Sequence, residues 1–207
     1  MSRYDVTSSE GEYQPGGEEG VLRNRLGLTL KQDIDDAETE LLDALYLVVL
    51  EQSWATLSMS DIQRWHRQWL GNLYDWAGET RTVNMSKGDF HFAAAGQLPA
   101  LIKQFDKQYL SRFEQLPDLA DDEVVNLLAE SHVEFILIHP FREGNGRISR
   151  LLLNVMALKA GFQPLDYQLW EENKAYYFKA IQAGVGGDYQ HVARLVRDVL
   201  EQQAGED

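Results

Sequence analysis

The chain has 207 residues, 44% hydrophobic and 25% charged, with no cysteine; that is enough for one domain with a real core, and it excludes a disulfide framework or a thiolate zinc site. The 19 Lys and Arg stand against 33 Asp and Glu, a net charge of -14 that repels phosphate backbones and argues against direct nucleic-acid binding, while leaving room for a small local basic pocket. No apolar run approaches the ~20 residues of a membrane helix, and the polar start MSRYDVTSSEGEY lacks the apolar segment of a secretory leader, so the sequence reads as a cytoplasmic chain.

Residues 1–19, rich in Gly, Ser and Glu, read as an irregular arm, and 21–29 as a short helical turn. Over 34–51 the apolar positions Leu41, Leu42, Leu45, Val48 and Val49 fall on one face of a predicted helix. The segment SDIQ, starting at Ser60, has capping-box form and opens a second helix through Trp65, Trp69 and Leu73, with Gly78 as its C-cap. RTVNMSKGDFHF, residues 81–92, then changes period. Val83 and Met85 alternate with polar residues, SKGD turns, and Phe90 and Phe92 alternate again, which predicts a β-hairpin. Helical spacing returns over 98–113 and is broken by Pro117. A helix capped by Asp118 or Asp121 follows and ends at Ile138, because Pro140 pushes His139 out of the right-handed α region. Further helices are predicted at 145–159, stopped by Gly161, and at 167–183 and 188–203. The sum is a single domain over 1–207: all-α, with one hairpin inserted at 80–92.

Between two apolar stretches lies HPFREGNGRISR, residues 139–150, dense in charge and glycine. A helix opening near Gly144, Asn145 and Gly146 exposes unpaired N–H groups and a partial positive charge, which together bind anions. The glycines let a ligand come close to the backbone. Arg147 and Arg150, three apart, share a helix face in the first turns, where cations oppose the macrodipole. A bound polyphosphate reverses the sign of that cost, and guanidinium forks suit phosphate oxygens. Glu143 beside such a cradle is placed to hold Mg²⁺. His139, with an ordinary pKa near 6.5 for its type, can take a proton from an attacking hydroxyl at neutral pH. Base, metal ligand, anion hole and arginine clamp together point to transfer from a nucleotide to a hydroxyl.

These residues resemble the Fic family, whose motif H-x-F-x-[D/E]-G-N-G-R-x-x-R is matched without departure by His139, Phe141, Glu143, Gly144, Asn145, Gly146, Arg147 and Arg150. The resemblance implies a Fic-type helical bundle with the hairpin as a "flap" over 80–92. It implies adenylylation: AMP moves from ATP to a Ser, Thr or Tyr hydroxyl of a target protein. His139 is then the general base and Glu143 the Mg²⁺ ligand. Asn145 and the backbone of Gly144 and Gly146 hold the α- and β-phosphates, with Arg147 on the β- and Arg150 on the γ-phosphate. Phe141 anchors the loop in the core. The target docks on the flap by strand addition, near Lys87, Gly88, Asp89 and Phe90. Tyr176 and Tyr177 are candidates for the adenine pocket.

Many Fic proteins carry an inhibitory helix with [S/T]-x-x-x-E-[G/N], whose glutamate pairs with the last arginine of the motif. Here the nearest approach is Ser8 with Glu12, followed by Tyr13 instead of Gly or Asn. The expectation is a toxin whose separate small antitoxin supplies that glutamate opposite Arg150. By analogy with compact relatives, a type II topoisomerase subunit is the candidate target. Transfer of phosphate or phosphocholine on the same scaffold, and a non-catalytic binding module, are the competing readings. The five histidines form no H-E-x-x-H, and no Walker-type G-x-x-x-x-G-K-[ST] occurs.

Overall fold

A computed structural model of the chain describes residues 5–6 and 12–204. The fold is mostly helical. Its elements in order are β1 (Asp5–Val6), α1 (Lys31–Glu51), α2 (Met59–Leu70), β2 (Met85–Lys87), β3 (Phe90–His91), α3 (Leu98–Gln108), α4 (Asp121–Ile138), α5 (Asn145–Lys159), α6 (Gln168–Glu172), α7 (Lys174–Ala183) and α8 (Gln190–Ala204). The described residues gather into two compact units. Among them, no helix is long and apolar enough to cross a membrane.

The first unit takes the described residues of Met1–Ser53 together with Met59–Ile102 and Ile138–Ile148. In α1, Ile34, Glu38, Leu45 and Val49 form the buried stripe, one carboxylate among apolar side chains. In α2, Met59, Ile62, Trp65, His66, Trp69 and Leu70 are buried at helical spacing. The two helices pack together, and Trp69 Nε1–H donates to the carbonyl of Glu38 at 2.8 Å. The predicted hairpin is present: Ser86 pairs with His91 and Lys87 with Phe90, and Gly88 at φ +58° opens the two-residue turn. β1 pairs antiparallel with the other edge of β2, making a three-stranded sheet in the order β1-β2-β3.

The second unit takes Trp54–Ser58, Lys103–Leu137 and the described residues of Ser149–Asp207. Phe113, Leu128, Val133, Phe135, Met156, Trp170 and Val196 are all but fully buried in its core. Gly184 lies tight against Val133, where a Cβ would come within 2.2 Å of the valine Cγ1. Tyr189 Oη donates to Glu134 Oε1 at 2.8 Å, and Lys159 Nζ donates to the carbonyl of Trp54 at 3.2 Å.

Several expected boundaries move, each for a local reason. The stretch 21–29 is not helical; Leu22 forms a bridge with Tyr13, and the side chain of Asn24 ties the turn by bonding the carbonyls of Leu22 and Leu28. The arm at 1–19 is not wholly irregular, since it carries β1. Val48 is 52% exposed rather than on the buried face of α1. α2 begins at Met59, so Ser60 lies inside its first turn rather than at its cap. It ends at Leu70, and Gly78, at φ +80°, serves a later turn in which its N–H donates to His66 Nδ1. α3 stops at Gln108 and a 3₁₀ stretch, Leu110–Asp118, carries the chain through Pro117. Neither Asp118 nor Asp121 caps α4; Glu123 reaches back to the N–H of Ala120. The helix expected over 167–183 divides at Asn173, whose side chain donates to the carbonyl of Leu169. The ends at Ile138 and the start at Asn145 stand where proline and glycine put them. Ser8 lies outside the described residues.

Candidate active site

The loop 139–144 joins α4 to α5. His139 adopts φ +52°, the left-handed region that a non-glycine residue rarely enters. Pro140 does force His139 out of the right-handed α region, but into this strained conformation rather than an extended one. Gly144, at φ +79°, ends the loop, and its carbonyl accepts the N–H of Ile148 at 3.0 Å, the first hydrogen bond of α5. The amide end of α5 therefore opens just beyond Gly144, as the anion-cradle reading requires.

Asn145 is fully buried and its side chain is committed to the loop. Its Oδ1 accepts the N–H of Phe141 at 2.9 Å and its Nδ2 donates to the carbonyl of Phe141 at 2.8 Å. The amide shapes the loop that presents the backbone. Phe141 is buried, as expected of an anchor, and stacks on His66 with centroids 4.0 Å apart.

His66 was not singled out by the sequence. Its Nδ1 accepts the N–H of Gly78 at 2.8 Å, so Nε2 carries the proton and donates to the carbonyl of Glu143 at 3.0 Å. Burial, then the charge of Arg147, lower its pKa to about 4 against the opposing pull of the Glu143 bond, which keeps it neutral. It is an uncharged strut under the loop.

Glu143 is largely buried; its Oε1 accepts the N–H of Gly144 at 3.0 Å and lies 3.7 Å from Arg147 Nη2. Arg147 rests over the ring of Trp69 at 4.5 Å. Its Nη2 approaches Glu38 Oε2 to 2.6 Å, an ionic contact outside hydrogen-bond alignment. Glu38 is held in turn by Tyr74, whose hydroxyl donates to Oε1 at 2.9 Å. Burial and that carboxylate push the Tyr74 hydroxyl far above its ordinary pKa. Sequence reading missed Glu38, although a charged residue on the apolar stripe of α1 was a visible signal.

The flap meets the motif through aromatic rings. Phe92 stacks on His139 at 3.7 Å, and Phe90 meets Phe92 edge-on at 5.3 Å. Lys87, Gly88 and Asp89 are exposed at the tip, with Phe90 half-buried. In the second unit Arg150 Nη2 pairs with Glu171 Oε1 at 2.6 Å and its guanidinium lies over Tyr167 at 5.2 Å. Tyr167 Oη is within hydrogen-bond reach of both the Arg150 carbonyl and Asn154 Oδ1. Tyr176 and Tyr177 do not share a pocket. Tyr177 is buried, stacked on Trp170 and bonded to His132 at 2.8 Å, whereas Tyr176 is exposed beside His191.

Residues 56–157 match the model of the Fic/DOC family. A probable protein adenylyltransferase Fic of Escherichia coli (strain K12) is 29% identical over 191 residues, 90% of each chain. The Fic/DOC match takes in the whole motif from His139 to Arg150. Another Fic relative, the probable protein adenylyltransferase y4lH of Sinorhizobium fredii, is 27% identical over 97% of this chain and the whole of its own. Among solved structures, the N-terminal FIC domain of Bep8 from Bartonella sp. 1-1C superposes with a TM-score of 0.77 at 20% identity, covering 88% of this chain and 92% of that one. BepC of Bartonella tribocorum, solved with bound AMPPNP, gives 0.72 at 19% identity over 90% and 96%. At those identities the likeness is one of fold. The Fic motif is what occupies the loop and helix start described above, and the Fic hairpin is what carries Phe92 onto His139.

Proposed function

We propose that the chain is a protein adenylyltransferase that moves AMP from ATP to a Ser, Thr or Tyr hydroxyl of a target protein. The observation that carries this reading is the loop from His139 to Arg147. It carries a buried imidazole and a buried carboxylate just before the start of α5 and a guanidinium in the first turn of that helix. Relatives over nearly the whole chain are named for the same activity.

The chemistry follows from the groups present. His139 accepts the proton of the target hydroxyl as its oxygen attacks the α-phosphorus. The new O–P bond forms while the bond from that phosphorus to the bridging oxygen breaks, and pyrophosphate leaves. His139 then returns its proton to water. Backbone amides at the start of α5 hold the phosphate oxygens, and the charge of Arg147 offsets theirs. To do so Arg147 shares itself between Glu38 and the nucleotide. Among the described residues no cluster of three or more acidic or imidazole side chains could hold a metal alone. A Mg²⁺ that arrives on phosphate oxygens needs no such cluster, so the single carboxylate of Glu143 fits it. When bound, the ion would supply further neutralisation of phosphate charge.

The flap would dock the target as an added strand, with Lys87, Gly88, Asp89 and Phe90 nearest its tip. Regulation by a small antitoxin in the cytoplasm belongs to the same reading. Its carboxylate would have to displace Glu171, which already engages Arg150. His139→Ala tests the whole: AMP transfer should vanish while ATP affinity by titration calorimetry stays near that of the parent. Lost affinity would make His139 structural. Mass spectrometry of modified acceptors separates AMP from phosphate or phosphocholine, and no adduct at all with ATP and Mg²⁺ would favour a binding module.

A further inference from the structure

Arg81 is 3% exposed, an arginine interred between α2 and the hairpin. A buried guanidinium is costly unless its donors are answered. Here carbonyl oxygens answer them, and the choice of carbonyls is the informative point. The Arg81 N–H donates to the carbonyl of Pro140 at 2.9 Å. Its Nε donates to that of His139 at 2.6 Å, and Nη2 to that of Ile138 at 3.2 Å. One residue thus binds three successive carbonyls centred on His139. The far side of the same guanidinium binds the hairpin at both feet: Nη1 donates to the carbonyl of Val83, just before β2, and Nη2 to that of Ala93 at 2.6 Å, just after β3.

We propose that Arg81 is a positioning residue that locks the strained backbone of His139 to both feet of the flap, so that base and target-docking strand keep one register. The proposal rests on the adenylyltransferase reading for its consequence, and on the hydrogen bonds for its geometry. A left-handed non-glycine residue stores strain and persists only where its surroundings over-determine it. Arg81 supplies that determination from the backbone side, and Phe92, between the same two feet, supplies it from the ring side. A lysine cannot replace the fork, because one ammonium cannot span the loop and both hairpin feet. The amide end of α5, where ATP is proposed to sit, makes none of these bonds. Loss of Arg81 therefore damages transfer more than nucleotide binding.

The experiment compares Arg81→Lys and Arg81→Gln with the parent protein. ATP affinity should stay within about threefold, while the single-turnover rate of AMP transfer to a protein acceptor falls about 100-fold, the scale of a misplacement near 1 Å. Guanidinium ion at millimolar level should restore transfer to Arg81→Ala and leave His139→Ala inactive. Unchanged transfer, or ATP affinity falling in step with transfer, overturns the proposal. If the parent protein transfers nothing, the adenylyltransferase reading fails, and the His139 Cε1–H resonance of Arg81→Lys still decides the geometry. A shift supports the lock and an unmoved line refutes it. If no variant folds, hydrogen exchange in the parent protein decides. Arg81 Nε–H should exchange far more slowly than that of the exposed Arg64, and equal rates refute the lock.

Discussion

Gly144 and Gly146 are two residues apart, and the structure assigns them opposite reasons for lacking a side chain. A Cβ on Gly144 would stand 2.5 Å from Trp69 Cζ3 and 2.9 Å from Cη2, with the backbone at φ +79°. Trp69 cannot retreat, being fully buried and tied by Nε1–H to Glu38. The left-handed backbone costs an alanine about 1 kcal/mol, and overpacking adds roughly 1–3 kcal/mol. A total near ~3 kcal/mol in a chain of this size lowers Tm by roughly 6–12 °C. A Cβ on Gly146 meets nothing within 4 Å. Alanine within a helix is favoured over glycine by about 0.5–1 kcal/mol, so Gly146→Ala should melt at or slightly above the parent temperature. If phosphates approach the backbone here as proposed, a methyl in that open space crowds them, and ATP affinity should fall about tenfold or more, a loss of about 1.4 kcal/mol. Calorimetric melting and ATP titration of both variants make the check. Gly144→Ala melting with the parent protein would show that the Trp69 contact yields, and Gly146→Ala binding ATP as well as the parent would remove the phosphates from the amide end of α5.

Glu38→Ala should cost on the order of 3 kcal/mol by urea unfolding, because it strips both Arg147 and the Tyr74 hydroxyl of a largely buried partner; Glu38→Gln, which keeps an acceptor for Tyr74, should cost less. Glu171 is 48% exposed, so Glu171→Gln should change stability by under ~1 kcal/mol. Arg150→Ala should instead lower autoadenylylation with labelled ATP, and an unchanged rate would take Arg150 out of nucleotide binding. His66 and His132, with pKa values lowered to about 4 and about 3, are neutral when folded, so the unfolded chain takes up protons first as pH falls. Their stabilisation is complete above pH 6.5 and is lost on the way down to about pH 4 for His66 and about pH 3 for His132, about 3 kcal/mol for His66 alone. Urea midpoints measured across that window should fall, and His132→Phe should flatten the slope.

What the sequence made legible was local. Pro140 restricts the residue before it, and Gly144 takes a left-handed φ that other residues avoid, so the two mark the end of α4 and the start of α5 inside the motif. The hairpin was legible because alternation and a Lys-Gly-Asp turn are short-range signals. α2 looked longer because apolar spacing continues through Leu73, while the helix stops at Leu70 and Gly78 closes a later turn by reaching back to His66. Tyr177 shows the same limit in reverse. Its neighbour Tyr176 shares its chemistry, and only packing against Trp170 and His132 separates a core residue from a surface one.

The residues that hold the site from behind follow a different logic from those that face it. Arg81 meets His139 across 58 positions and His66 meets Glu143 across 77, separations that no helical or strand period encodes. Both act on carbonyl oxygens, which every residue carries, so their partners leave no mark in the sequence. What each does leave is a breach of pattern at its own position: a charge beside a predicted strand, an imidazole on the buried face of a tryptophan-rich helix, and Glu38 on an apolar stripe. Each of these polar groups costs free energy where it lies unless something answers it. In this fold each is answered in part between His139 and Arg147. The breaches are therefore the sequence trace of a second set of site residues, and they point at the same loop as the motif does.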